Sequence, residues 1–115
     1  MELKKTFYQG KIITTKDRVL GKVVDIISDP VHAKYPMLVI DVNPQAMALF
    51  KPNQFKLLPA SYVYELGETL VVRSDVSPFI KFPKLKETEI DSNNDFLKLQ
   101  VIEHFGTPDT WGVVS

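Results

Sequence analysis

The stretch Leu57-Leu58-Pro59-Ala60-Ser61-Tyr62-Val63-Tyr64-Glu65-Leu66-Gly67-Glu68-Thr69-Leu70-Val71-Val72-Arg73 reads as two apolar strands around a tight turn. Pro59 has no N–H for a β-ladder, so it suits the end of the first strand. Ala60 to Val63 then fit one tight turn. Tyr64-Glu65-Leu66 leads into a Gly67-Glu68 corner, and Leu70-Val71-Val72 leaves it as a strand. Every other strand is expected to pack against this unit.

Upstream, Phe7-Tyr8 and Lys11-Ile12-Ile13-Thr14-Thr15 flank Gly10, as in a strand with a bulge or close-approach glycine. Lys16-Asp17-Arg18 is a polar turn. Val19 to Asp29 is rich in β-branched residues, with imperfect alternation that suits a curved strand touching apolar neighbours on both faces. Asp29 to Pro36 is a loop between two prolines. Met37-Leu38-Val39-Ile40-Asp41-Val42 is the most apolar strand, and Met47 to Phe50 and Phe55 to Leu58 continue the series between proline turns. Short, closely spaced strands with turn chemistry between them predict a small barrel, not a helical bundle or a βαβ sheet.

Beyond Asp75 the texture changes. Val76 to Leu85, with Pro78 and Pro83, reads as an extended arm. Asp91-Ser92-Asn93-Asn94 offers N-cap side chains, and Asp95 to Phe105 predicts three helical turns closed by Gly106. Phe96, Leu99, Ile102 and Phe105 recur every three residues, with Leu97 and Val101 widening the apolar stripe. The organisation expected is therefore a barrel over 1–75 and a C-terminal arm with one short helix over 76–115, packed on the barrel or on a neighbour.

Three marks taken in order resemble the PRC-barrel family, named for the photosynthetic reaction-centre H subunit. They are Gly10-Lys11-Ile12-Ile13 followed by Leu20-Gly21-Lys22-Val23-Val24-Asp25, the strand Met37 to Val42, and Leu57 to Val63 followed by Leu66 to Val72. The resemblance spans Phe7 to Asp75. It implies a mainly β fold, a six-stranded SH3-like barrel used as an assembly module. One branch of the family sits in an rRNA maturation factor that binds a ribosomal protein. The chain departs from the pattern at Asp17-Arg18, where the family often has Asp-Gly, and in its tail from Val76.

The 115 residues suit one domain with a real core. There is no Cys, hence no disulfide or thiolate chemistry. The first ten residues hold no apolar run of the signal-peptide kind, and no stretch approaches a membrane span. A cytoplasmic protein is expected. Lys plus Arg equals Asp plus Glu at 14 each, but the charge is unevenly placed. Residues 1–86 carry 13 basic and 8 acidic side chains, and residues 87–115 carry 1 basic and 6 acidic. The acidic tail is thus suited to a basic body, its own or a neighbour's.

No catalytic constellation can be assembled. Asp29, His32 and Asp41 match no metal-ligand spacing, so neither metal nor cofactor is expected. Asp25 and Asp41 read as outward polar residues of two strands, and His104 as a helix-end residue on the C-terminal dipole. Ser61 has no nucleophile-elbow pattern around it, and no phosphate loop is present. Two stretches mix aromatic and basic residues: Phe50 to Lys56, with Lys51 and Phe55, and Phe79 to Lys86, with Phe82 and Lys84. Such mixtures stack bases and neutralise phosphates in RNA-binding barrels, and equally arise from core aromatics alternating with solvated lysines. Tyr35, Phe105 and Trp111 offer a protein-contact surface or a lid on the barrel's own open side. The reading favoured is a protein–protein interaction module, with exchange of arm and helix in a homodimer as one form, and RNA association as the alternative.

Overall fold

A computed structural model describes residues 8–15, 18–42, 54–72, 75–91 and 93–113. Among them six strands follow in order: β1 (Ile12–Thr14), β2 (Val19–Ser28), β3 (Pro36–Asp41), β4 (Phe55–Pro59), β5 (Val63–Leu66) and β6 (Thr69–Val72). They form one mixed sheet in the order β4-β3-β2-β1-β6-β5. Only β1 and β6 run parallel; the other neighbours are antiparallel. The expected strand at Met47 to Phe50 lies outside the described residues.

The two outermost strands, β4 and β5, are consecutive in the chain. A 3-10 turn at Ala60–Tyr62 is all that joins them. In a flat sheet five strand spacings, about 24 Å, would separate them. Three residues reach only about 10 Å. The sheet must therefore curl, and this one turn requires it. At the other end of the quoted stretch, Leu66 pairs with Thr69 across a two-residue turn. Gly67 has φ 65° there and Glu68 has no positive φ, the pattern of a II′ hairpin.

Two irregularities explain the uneven alternation of β2. Its register against β3 shifts between Val23 and Asp25. Val23 and Ile26, three residues apart, therefore both point into the core. Gly21 lies against β3 so closely that a Cβ there would overlap the Asp41 carbonyl and approach Ile40 Cγ2 to 2.7 Å.

The arm over Val76 to Leu85 is not extended. It winds into α1 (Ser77–Lys81), and Pro78 sits in the first turn, where its missing N–H leaves no bond unmade. Only Leu85 pairs as a strand residue, exchanging two backbone hydrogen bonds with Phe55 at 2.7 and 2.9 Å. A 3-10 turn at Glu87–Glu89 precedes α2 (Asp95–Phe105), and a 3-10 segment at Pro108–Val113 follows it. Asn94 caps α2: its Oδ1 accepts from Phe96 N and Leu97 N at 3.0 and 3.3 Å. Phe79, Phe82, Leu85, Leu97, Val101, Phe105 and Trp111 belong to the same buried cluster as Ile13, Ile26, Leu38, Leu58 and Leu70 of the strands. Both faces of β4 are consequently covered, and all five of its residues are buried. No helix among the described residues is long and apolar enough to cross a membrane.

Candidate functional site

Most of the aromatic residues marked by sequence for partner binding lie inside the fold. Phe55, Phe82, Phe105 and Trp111 are buried, and Tyr35 is half-buried. Phe82 stacks on Phe105 at 5.5 Å, and Tyr62 meets Phe105 edge-on at 5.7 Å. The last carbonyl of α2, that of Phe105, accepts from Trp111 Nε1 at 3.0 Å and from Tyr62 Oη at 3.4 Å. Two side chains thus satisfy a group that a helix end otherwise leaves open. His104 folds back on its own helix, its Nδ1 donating to Gln100 O at 2.9 Å, with its ring 5.3 Å from Phe82. Phe50 and Lys51 lie outside the described residues. With Phe55, Phe79 and Phe82 turned inward, the two basic-aromatic stretches present none of these ring faces for bases to stack on.

The loop between β2 and β3 is organised by one carboxylate. Asp29, fully buried, accepts backbone N–H bonds from Val31 and His32 on Oδ1, and from Lys34 and Tyr35 on Oδ2. The distances run from 2.5 to 3.0 Å. Burial alone pushes its pKa up; the four N–H donors outweigh that and hold it below the ordinary Asp value. The loop so shaped points three groups at the C-terminal 3-10 segment. His32 Nε2 lies 3.7 Å from Asp109 Oδ1, Tyr35 Oη donates to the same oxygen at 3.5 Å, and the Tyr35 ring meets Trp111 edge-on at 6.3 Å. Tyr35 and Trp111, singled out together by sequence, are in contact. The sequence reading weighed Asp29 only as a metal ligand and gave Asp109 no role beyond its charge, and so missed the carboxylates that hold them. An Asp-Pro pair opening a loop was the available signal.

Lys56 is the other buried ionisable side chain among the described residues. Its Nζ donates to the carbonyls of Phe79 and Ile80 at 3.0 and 2.6 Å, near the end of α1, and lies 5.4 Å from the Phe79 ring centroid. Burial lowers its pKa, and Lys84 and Arg18 lower it further by like-charge repulsion. Lys84 itself is exposed. An open groove of about 410 Å³ lies here, and among the described residues its lining holds Arg18, Lys56 and Lys84 but no carboxylate.

On α2 only part of the apolar stripe read from the sequence turns inward. Leu97, Val101 and Phe105 form its inward face. Phe96, Leu99 and Ile102 are 51%, 64% and 39% exposed. Asp95 and Glu103 are exposed on the same side of the helix. An apolar strip edged by acid is therefore open to solvent. No protein-family model matches the chain, and a search of curated proteins finds no match either.

Proposed function

We propose that this chain is a non-enzymatic assembly module of PRC-barrel type that works by protein–protein contact, first of all with a second copy of itself. The observation that carries this reading is the outward strip Phe96, Leu99 and Ile102 on α2. Three large apolar side chains on one helix face are surface that water leaves poorly solvated and a partner covers. The barrel assignment rests on the three ordered sequence marks. It is supported by a six-stranded sheet whose two outer strands meet at the Ala60–Tyr62 turn. In this reading a barrel closed there is the rigid platform.

Charge selects the second copy as occupant. The strip is edged by Asp95 and Glu103 in a tail of net charge −5, whereas residues 1–86 carry +5. Lys22, Lys34 and Lys86 stand exposed on the body. A tail laid on the body of a neighbour pairs opposite fields, and a two-fold axis lets both tails do so at once.

Light scattering tests this on the full chain. The expected mass is twice 13.1 kDa. It falls to the monomer when Leu99→Glu and Ile102→Glu are combined, with the circular dichroism unchanged. High salt weakens the dimer, because exposed opposite charges are screened. A chain that scatters as a monomer over the whole accessible concentration range overturns the reading.

A further inference from the structure

We propose that the groove holding Arg18, Lys56 and Lys84 is a binding site for an amphiphilic anion, an oxyanion head such as a phosphate monoester or carboxylate on a short aliphatic body. The groove has the volume of small-molecule sites, which combine apolar walls with a few convergent polar groups. Its three cations come from separate parts of the chain: Arg18 just ahead of β2, Lys56 from β4 and Lys84 beyond α1. The fold therefore brings like charges together where, among the described residues, no lining carboxylate offsets them. Among the described residues, two of the three Lys56 donors have partners, the carbonyls of Phe79 and Ile80. An anion seated here receives the third and is flanked by the two exposed cations.

A second observation fixes the rest of the ligand. Val19 and Ile80, which line the same groove, are 60% and 44% exposed, and buried Phe79 lines it too, its ring centroid 5.4 Å from Lys56 Nζ. A bare inorganic ion would leave this apolar rim wet; an alkyl body covers it. The depressed Lys56 pKa agrees with this reading, because burial and then the two neighbouring cations disfavour its charge, and a bound anion offsets both. The proposal is independent of the α2 strip.

Calorimetric and NMR titration of the full chain with octyl phosphate below its micelle concentration tests it. Saturable binding is expected, with the largest amide shifts at Val19, Ile80 and Lys84. Arg18→Gln and Lys84→Gln, both at exposed positions, each weaken it about three- to tenfold. Inorganic phosphate, lacking the body, binds at least about tenfold more weakly. Phosphatidylcholine vesicles with and without phosphatidic acid distinguish the source of the head group. Capture by the acidic vesicles that octyl phosphate competes away assigns a lipid; octyl phosphate binding without capture assigns a free metabolite-sized anion. No saturable binding, unchanged affinity in both Gln variants, or binding of an oligoribonucleotide but not of octyl phosphate overturns the proposal.

Discussion

The indole N–H of Trp111 donates to the carbonyl of Phe105 across 3.0 Å, and both side chains are buried. This one bond ties the C-terminal 3-10 segment to the end of α2, while Tyr35 meets the same indole from the β2–β3 loop. Trp111→Ala is expected to cost about 3–5 kcal/mol through lost volume and the cavity left behind. Trp111→Phe keeps most of the apolar body and removes the donor, for about 1–2 kcal/mol. Urea unfolding of the two variants checks the order. Equal losses mean that the indole bond carries the effect and the lost volume contributes nothing; a Trp111→Phe protein as stable as wild type means that volume alone matters.

Asp29 makes the pH dependence of folding specific. Its folded-state pKa lies below the ordinary 3.8, so the unfolded chain binds the proton more readily. The resulting stability is fully present above that ordinary value and is lost as pH falls through the lower folded value. Wild-type stability should drop on acidification below pH 4 more steeply than that of Asp29→Asn, which has no such proton to take up. At neutral pH, Asp29→Ala should cost about 2–3 kcal/mol, since it strands four backbone N–H groups. Denaturation at several pH values reads both effects.

Gly21 and Gly67 are retained for different reasons, and substitution separates them. At Gly21 the obstacle is the Asp41 carbonyl, which cannot yield without opening the β2–β3 ladder. Gly21→Ala is expected to cost about 2–3 kcal/mol, in the range of overpacked cores. At Gly67 nothing lies within 4 Å of a new Cβ, and the obstacle is φ of 65°. Gly67→Ala should cost about 1 kcal/mol, and Gly67→Asn less, because Asn tolerates the left-handed region. Thermal melts of the three variants give the ranking; a Gly21→Ala protein as stable as wild type removes the close-approach argument.

The hairpin and the last helix were legible because their signals are local. Gly67 supplies the turn, and Asn94 and Gly106 bracket α2 at the residues where it begins and ends. The inward face of α2 was not legible, and helix geometry says why. Residues three apart drift by about 60° per step, so Phe96, Leu99, Ile102 and Phe105 sweep half-way round the helix. Leu97, Val101 and Phe105, four apart, drift only about 40° per step and stay together. Both sets are apolar, and only docking against the sheet decides between them. The arm was misread for a related reason: two prolines look extended, yet Pro78 occupies the one part of a helix that tolerates it. Lys56 reads as an outward residue between Phe55 and Leu57; it is buried because α1, beyond any strand-period argument, folds over β4 and turns its carbonyls to the ammonium.

That position of Lys56 predicts a pH effect of the same sign as that of Asp29, in an alkaline window instead of an acid one. Burial, then Lys84 and Arg18, place its folded-state pKa below the ordinary 10.5. Between those two values the unfolded chain holds more protons, so this group's contribution to stability rises with pH across that window. Tyr62 acts against it at high pH, since burial raises the folded pKa of its hydroxyl above 10.0 and stability falls as the unfolded chain ionises first. Comparison with Lys56→Met isolates the lysine, because Tyr62 is common to both proteins. The stability of wild type relative to Lys56→Met should grow from neutral pH to 10.5 as the buried charge is shed while the amine keeps its bonds to Phe79 and Ile80. A difference that is flat over this range means that Lys56 carries its charge at no cost, and that the groove is already compensated from within.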